Sequence, residues 1–414
     1  PPVNSNKIVI IGSVWPEPNS TAAGSRMLQI LNYLIRNKWE IVFACAAQKG
    51  EFSFDLSTWN IPCVDVQIND AGFDEFIQQE NPQVVLFDRF MTEEKFGWRV
   101  ADACPDALRI LDMEDLHCLR IGRQNALKRG EDFQLNDLSN EIAYREIASI
   151  LRCDLSLVIS EFEMDLLQNH FQIKSELLCY LPFGVSGTSQ NTPAFSSRNN
   201  FISIGNFLHP PNLDSVYYLN EHIWPLIHQA LPEAEMHVYG AYPSNAVLAL
   251  SNPKGKFYLK GRADHALTTI SKYKLLLAPL RFGAGLKGKL FDAMLTGTPS
   301  ITTEIGAEGM HGNLPWAGAI CSSPESFAKA AIDLYTNELQ WNVVQKNSRV
   351  ILENRFNENV HFDQLLKTIY RIINDLKNHR NSNFYGAMIS SQTLNSVKYM
   401  SRWIEEKNKR KLTE

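Results

Sequence analysis

The sequence lacks the usual signatures of disulfide-rich, zinc-binding and membrane-spanning proteins. Its seven cysteines are scattered and include no C-x-x-C pair, which excludes a typical disulfide or zinc framework and favours reduced thiols. Its ten histidines show no H-E-x-x-H or similar ligand spacing. No apolar run approaches the roughly 20 residues that a membrane-spanning helix needs, and no signal peptide is evident at the N-terminus. We therefore expect a cytoplasmic protein.

Excess positive charge and a dinucleotide-binding motif are also missing. The formal net charge is −5, so binding to nucleic acid has no electrostatic support. G-x-G-x-x-G is absent after both candidate first strands described below, which argues against a dinucleotide-dependent dehydrogenase. The hydrophobic content of 44% and charged content of 21% are typical of a globular protein, and 414 residues suit two domains.

Two α/β halves follow each other along the chain. The first begins with a buried strand at 7–12 and a helix at 26–36, and a polar run at 187–199 separates it from a second strand start at 200–206. Because strands alternate with helices, each half predicts a parallel doubly wound sheet. Further strands are predicted at 41–46, 84–88, 109–113, 155–160, 236–241, 256–261, 274–279 and 299–303. We predict domains at 1–187 and 188–380, followed by a helical tail at 381–414.

The most informative stretch is 277–310, which has the pattern of strand, glycine loop, helix, turn and second strand. A glycine loop before a helix leaves unpaired N–H groups at the helix N-terminus, an arrangement that attracts phosphate. Lys287 and Lys289 add cationic donors in the first turn of this helix. Asp292 lies on the next turn, where its carboxylate could accept hydrogen bonds from sugar hydroxyls.

This stretch resembles the donor-binding segment of GT-B glycosyltransferases, in particular the family 4-like retaining enzymes, glycosyl transferases group 1, in the branch with a GAG loop. The resemblance implies two Rossmann-like domains facing a cleft, with the C-terminal helix packing back on the first domain. It implies that the loop amides face the donor diphosphate and that Asp292 holds the nucleotide ribose. The donor-binding positions that it implies are Gly24, Gly205, His209, Arg262, Gly283, Ala284, Gly285, Leu286, Lys287, Lys289 and Asp292.

The sequence departs from the family pattern at two places. The family often has a glutamate where Gly285 stands, so that contact with the donor sugar is not carried over, and Glu308 is a candidate to supply it. Many members also carry an arginine and a lysine shortly after the position of Asn212, and both are missing here. Lys287 or Lys289 would then hold the diphosphate, or the backbone amides would mainly hold it.

The segment 112–120, DMEDLHCLR, supplies the other catalytic candidates. Clustered titratable groups at the end of a predicted strand are typical of a functional site, and the string is similar to D-x-x-D-x-H-x-x-R in the same family branch. His117 could bind the donor sugar or an acceptor hydroxyl, with Asp115 orienting it. The alternative is a satisfied structural network. The carboxylates here could bind a cation, but the family does not need one.

The resemblance implies sugar transfer from a nucleoside diphosphate sugar, UDP- or GDP-linked, to an acceptor hydroxyl with retention and without a metal or cofactor. The acceptor would be a glycan, a lipid-linked molecule or a protein, in polysaccharide or glycoconjugate assembly. Two alternatives remain open, a nucleotide-sugar epimerase of the same fold and a non-catalytic nucleotide-sugar-binding module. The departures at Gly285 and after Asn212 motivate the second alternative.

The tail contains a predicted helix at 390–411. Leu394, Val397, Met400 and Ile404 form one stripe, and basic residues cluster at the end of the helix. We favour packing of this helix on the first domain. The alternative is peripheral contact with an anionic membrane surface at the inner face of the membrane.

Overall fold

The computed structural model describes residues 6–187 and 192–413, and within them thirteen strands form two parallel sheets. The strands are β1 (Lys7–Gly12), β2 (Glu40–Cys45), β3 (Cys63–Asp65), β4 (Val84–Asp88), β5 (Leu108–Asp112), β6 (Leu155–Val158), β7 (Leu178–Tyr180), β8 (Asn199–Ile204), β9 (Met236–Tyr239), β10 (Phe257–Gly261), β11 (Tyr273–Ala278), β12 (Ser300–Thr302) and β13 (Gly318–Ile320). The sheet orders are β3-β2-β1-β4-β5-β6-β7 and β10-β9-β8-β11-β12-β13.

The helices cover the faces of the two sheets. Within the described residues they are α1 (Ala22–Arg36), α2 (Gly72–Glu80), α3 (Phe90–Ala103), α4 (His117–Arg129), α5 (Glu141–Arg152), α6 (Glu161–Asp165), α7 (Pro210–Tyr218), α8 (Trp224–Ala230), α9 (Asn245–Leu248), α10 (Ala266–Ile270), α11 (Gly288–Leu295), α12 (Glu304–Ala307), α13 (Pro324–Thr336), α14 (Glu338–Arg355), α15 (Glu358–Asn374), α16 (Leu376–Ser382) and α17 (Phe384–Thr413).

The two sheets share one topology, in which the first strand of each half lies inside the sheet. β1 pairs with β2 and β4, and β8 pairs with β9 and β11, all in parallel. The strand order reverses at β1 and at β8, and ligands of open α/β sheets bind beyond the carboxyl ends of strands at such a point. Both halves are therefore Rossmann-like, as the sequence predicted.

All ten predicted strands are confirmed, with boundaries within two residues of the predicted ones. The prediction missed β3, β7 and β13, each of three residues. These three strands lie at sheet edges, where strands are short and carry little of the alternating or fully apolar pattern that reveals a longer strand. Part of the predicted polar connection, residues 188–191, lies outside the described residues.

The C-terminal chain returns to the first domain, and it does so earlier than predicted. Helix α15, inside the predicted second domain, packs on the first sheet, with Phe362, Leu365 and Ile369 in one apolar cluster with Ile10 and Leu86. The chain therefore begins to pack on the first domain before residue 380, the predicted end of the second domain. The chain returns because the apolar face of α15 packs on the first sheet. Sequence spacing identifies such a face but does not identify the surface on which it packs.

Helix α17 packs along α3 and α5, so the predicted packing of the tail on the first domain is confirmed for the described residues. Its buried face includes Ser401 and Glu405, which both accept hydrogen bonds from the buried Arg99. The predicted apolar stripe is not the buried face, since Met400 is 59% exposed. The side chain of Leu394 lies outside the described residues. No helix in the described part of the chain has the length and apolar content for crossing a membrane.

Candidate active site

The glycine loop at residues 283–287, called the donor loop below, connects β11 to α11 at the boundary between the two domains. Helix α11 begins at Gly288, so Lys287 is at the N-cap and precedes the first turn, in which it was predicted to lie. Gly283 and Gly285 have φ angles of 156° and 62°, which favour glycine. A Cβ atom on Gly288 would lie 2.5 Å from the Cβ of Ala22, so the N-termini of α1 and α11 meet across the domain boundary.

A buried lysine, Lys287, and a half-buried one, Lys289, lie at this helix N-terminus. Lys289 Nζ donates to Asn212 Oδ1 at 2.8 Å, and Lys287 Nζ donates to the Gly285 carbonyl at 2.6 Å. Burial lowers the pKa of Lys289 to about 7 and that of Lys287 to about 8. Gly205 belongs to the same cluster, since a Cβ atom there would lie 2.8 Å from Lys289 Nζ. Each ammonium group thus donates to a neutral oxygen. A bound anion could accept further hydrogen bonds from both ammonium groups.

Asp292 is the acidic group on the same helix. Burial raises the pKa of Asp292 to about 7. Within residues 6–187 and 192–413 its carboxylate accepts no hydrogen bond, whereas its backbone carbonyl accepts from Thr296. A carboxylate held in this way has unused capacity to accept hydrogen bonds from hydroxyl groups.

The turn after β5 brings charged groups of the first domain to the same boundary. Arg120 Nε lies 2.8 Å from Asp115 Oδ2, and His117 Nδ1 lies 2.9 Å from the Asp115 carbonyl oxygen and 3.1 Å from Glu146 Oε1. Burial raises the pKa of Asp115, but His117, Arg120 and His209 outweigh burial and hold that pKa well below its usual range. His209 comes from the second domain, so the predicted residues of both halves meet here.

The pKa values of the two histidines in this cluster shift in opposite directions. Burial lowers the pKa of His117, but Asp115 and the hydrogen bond to Glu146 outweigh it, and the net direction is upward. Burial lowers the pKa of His209 to about 4, so its imidazole is neutral near pH 7. Glu146 was missed by the sequence analysis. It accepts from the amides of His117 and Cys118 at 2.9 and 3.0 Å, and nothing in the sequence pattern of α5 distinguishes it.

Glu308, a candidate for contact with the donor sugar, is paired with the first domain. Arg123 on α4 donates to both carboxylate oxygens of Glu308 at 2.8 and 2.6 Å, and it also donates to the Gly283 carbonyl at 2.9 Å. On α6, Glu163 Oε1 accepts from the amides of Gly285 at 2.7 Å and Leu116 at 3.1 Å. The sequence analysis missed both Arg123 and Glu163, because their partners lie in the other half of the chain.

The carboxyl ends of β4 and β5 carry backbone strain. Asp88 and Asp112 pair at the ends of these strands, and the residues Arg89 and Glu114 that follow have φ angles of 70° and 59°. Such conformations are uncommon for residues other than glycine and cluster at functional sites. Burial, and then Asp112, raises the pKa of Glu114 to about 8. Among the described residues, no group of three or more His, Cys, Asp or Glu side chains could hold a metal ion.

Two predicted donor contacts have other partners. Gly24 serves close packing, because a Cβ atom there would lie 2.5 Å from the backbone carbonyl carbon of Glu17, and its amide donates to Thr21 Oγ1 at 3.0 Å. Arg262, one of the implied donor-binding residues, stacks on Phe52 of the first domain, with Cζ 4.0 Å from the ring centroid. Its side chain therefore contacts the first domain in this structure.

Comparison with known proteins identifies the second domain. Residues 198–337, from β8 into α13, match the model of the family Glycosyl transferases group 1. No curated protein matches the chain. The matched segment contains the donor loop, Lys287, Lys289 and Asp292, so the family match covers this half of the candidate site.

Solved structures extend the likeness to both domains. Sucrose-phosphate synthase from Thermosynechococcus elongatus is 12% identical with a TM-score of 0.65, covering 88% of this chain and 99% of that chain. Anabaena Alr3699/HepE in complex with UDP and glucose is 14% identical with a TM-score of 0.64 and the same coverage. WaaG, a glycosyltransferase involved in lipopolysaccharide biosynthesis, is 13% identical with a TM-score of 0.61, covering 86% and 98%.

At these identities the structures establish the fold, and the family model establishes the class of activity. The superposed regions cover 86–88% of this chain and 98–99% of the solved chains. The protein is therefore a glycosyltransferase with the GT-B fold, and its residues 198–337 match the glycosyl transferases group 1 family.

Proposed function

We propose that the protein transfers a sugar from a nucleoside diphosphate sugar to an acceptor hydroxyl with retention at the anomeric carbon. One observation carries this proposal: Lys287 is buried and Lys289 half-buried at a helix N-terminus, and among the described residues the Nζ atom of each donates only to a neutral oxygen. A diphosphate would supply negative charge in direct contact with both lysines, in addition to the carboxylate of Glu308 that already raises the pKa of Lys287 against its burial. Asp292, one turn further, supports the same ligand, because its carboxylate is free to accept from ribose hydroxyls.

The departing diphosphate develops negative charge as the glycosidic bond to it breaks. Lys287, Lys289 and the first amides of α11 hold fixed positive charge at that position, which stabilises the transition state without a metal ion. A bound anion also raises the lysine pKa values again, because it offsets their burial. The GAG-loop resemblance favours UDP or GDP as the nucleotide, with Arg262 beside the base once it leaves Phe52.

The sugar and the acceptor would occupy the space between the two domains. Asp115 and His117 of the first domain face His209 of the second, and we assign them to hydroxyl groups of the sugar or the acceptor. Glu308 keeps a carboxylate in the same cleft, oriented by Arg123. No side chain is assigned as a covalent nucleophile, in keeping with front-face displacement in enzymes of this fold. Closure of the domains would exclude water and limit donor hydrolysis.

A thermal-shift panel of UDP, GDP, ADP, dTDP and CMP on wild type and Asp292→Ala tests the donor. One diphosphate at about 100 times its Kd should stabilise wild type by about 2.7 kcal/mol and leave Asp292→Ala unshifted. The corresponding labelled sugar nucleotides are then incubated with a panel of glycan acceptors. NMR of the product anomeric proton should show retained configuration.

The same experiments separate the alternatives. Release of nucleoside diphosphate with an altered sugar, in the absence of acceptor, would indicate an epimerase. Tight nucleotide binding with no turnover on any glycan, lipid-linked or protein acceptor would indicate a binding module. If no nucleotide shifts the wild-type melting temperature, the proposed donor site is wrong.

We also propose that α17 makes peripheral contact with an anionic membrane at the cytoplasmic face, where acceptors for polysaccharide or glycoconjugate assembly are found. The helix face opposite Ser401 and Glu405 exposes Tyr385, Tyr399 and Trp403, and Lys407 Nζ lies 5.1 Å from the Trp403 ring centroid. Aromatic rings beside cations suit the headgroup region of a bilayer.

Vesicle sedimentation tests the membrane proposal. Wild type should sediment with phosphatidylcholine vesicles containing anionic phosphatidylglycerol and much less with phosphatidylcholine alone. The double variant Tyr399→Ser with Trp403→Ser should remain in the supernatant. Leu339→Ser is the control, because Leu339 is 81% exposed on α14 of the second domain. If the double variant and Leu339→Ser sediment equally with the anionic vesicles, this face of α17 does not contact the membrane.

A further inference from the structure

The donor loop is held by side chains of the opposite domain. Arg123 donates to the Gly283 carbonyl at 2.9 Å, and Glu163 accepts from the Gly285 amide at 2.7 Å. Between these two contacts, Ala284 packs into the apolar core of the first domain with Leu116 and Leu119. Three consecutive residues of the loop therefore take their positions from the first domain.

Among the described residues, the only hydrogen bond from the second domain to residues 283–285 is the one from Lys287 Nζ to the Gly285 carbonyl. Gly283 and Gly285 both have positive φ angles, and glycine populates many other backbone conformations at little cost. Ordering such a segment costs conformational entropy, which the contacts to the first domain offset. The shape of the loop is thus linked to closure of the two domains.

Arg123 and Glu163 are themselves rigidly placed. The Arg123 guanidinium lies 5.5 Å from the centroid of the Phe133 ring and 5.2 Å from that of Phe162, both in the first domain. Glu163 is 1% exposed, and the same oxygen that accepts from Gly285 also accepts from the Leu116 amide. Neither side chain can follow the donor loop if the domains separate.

We propose that Arg123 and Glu163 are positioning residues that give the donor loop its binding shape only when the two domains are closed. The first domain would in this way control affinity for the donor diphosphate without touching it. The inference rests on the proposed function, in that the loop is taken to bind a diphosphate. It also reassigns the Gly285 amide, which bonds to Glu163 and is not a phosphate donor in the closed arrangement.

Hydrogen exchange on the full chain without ligand tests the structural half of this proposal. Peptides covering residues 280–288 should exchange faster in Arg123→Ala and in Glu163→Ala than in wild type. Glu163→Gln should keep the wild-type protection, because its amide oxygen can still accept from Gly285. Arg152→Ala is the matched control, since Arg152 forms a buried pair with Glu93 within the first domain. Unchanged exchange of the loop in both alanine variants would overturn the proposal.

Binding of UDP and of inorganic pyrophosphate, measured by calorimetry, tests the functional half. Arg123→Ala and Glu163→Ala should bind about tenfold more weakly than wild type, and Arg152→Ala and Glu163→Gln should match wild type. Faster loop exchange with undiminished affinity would refute control by the first domain. If wild type binds neither probe, the proposed function fails, and the exchange experiment still decides whether Arg123 and Glu163 shape the loop.

Discussion

Gly285 and Asp115 lie against each other across the domain boundary. A Cβ atom added to Gly285 would lie 2.9 Å from the Asp115 Cβ, a distance that real Cβ atoms essentially never show. The family that this segment resembles often has a glutamate at the position of Gly285. In this chain the space of that side chain is filled by the backbone and Cβ of an acid from the other domain, so the loop glycine and the opposite aspartate are structurally linked.

Gly285→Ala should therefore destabilise the protein through two effects. Its φ of 62° costs about 1–2 kcal/mol for a residue with a Cβ atom, and the contact with Asp115 adds about 1–3 kcal/mol of overpacking. Gly130→Ala is the matched control, because Gly130 has a φ of 71° and nothing within 4 Å of an added Cβ. Urea unfolding should show the larger loss for Gly285→Ala. Equal losses of unfolding free energy in the two variants would mean that Asp115 moves away from the added methyl group at no energetic cost.

Asp292→Asn should stabilise the protein without ligand and weaken nucleotide binding. The folded-state pKa of Asp292, about 7, lies above the ordinary value, so the stability it contributes is present below about pH 4 and is lost as pH rises through 7. The melting temperature of Asp292→Asn should exceed that of wild type increasingly from pH 4 to pH 7 and by a constant amount above pH 7. Melting curves across this range, with and without UDP, check both effects. If the difference in melting temperature between Asp292→Asn and wild type does not change with pH, the pKa of Asp292 is not raised in the folded state.

Lys289→Met should have the opposite pH dependence. The folded-state pKa of Lys289, about 7, lies below its ordinary value, so its contribution to stability is present above about pH 10.5 and is lost as pH falls through 7. The variant should melt higher than wild type at pH 7 and lose this advantage toward pH 10. Its affinity for pyrophosphate should fall about 10- to 100-fold, the effect of losing a charge-assisted contact. Lys254→Met, at an exposed position of the same domain, should match wild type in both assays.

Arg26→Met should be strongly destabilising. Arg26 and Asp112 are 1% and 0% exposed, and Arg26 donates through Nε and Nη2 to Asp112 Oδ1 at 3.3 and 3.1 Å. Removing one partner leaves a buried charge, at a cost of about 3–5 kcal/mol. The exposed pair of Arg145 and Glu94 provides the comparison, and Arg145→Met should cost no more than about 1 kcal/mol. Similar urea midpoints for Arg26→Met and Arg145→Met would show that other groups neutralise the charge of Asp112 when Arg26 is removed.

Much of the fold was readable from local pattern. Continuous apolar runs such as 7–12 and 84–88 are the mark of strands buried on both faces, and both ranges match the observed strands. The glycine loop, the two lysines and Asp292 were also readable, because they lie within ten residues of one another in a strand–loop–helix unit. The short edge strands carried too little pattern. The buried face of α17 depends on Arg99, which is 302 residues from Ser401 in the sequence.

The sequence by itself determined two Rossmann-like halves, the position of the donor loop and the residue types that face it, because these follow from short-range spacing. The tertiary structure alone decided what the loop contacts. Arg123, Glu163 and Asp115 reach it from a different domain, and their pairing with Gly283, Glu308 and Gly285 leaves no trace in local spacing. Burial of the lysines and of Asp292 likewise results from packing of the assembled chain, and that burial shifts their pKa values toward neutrality.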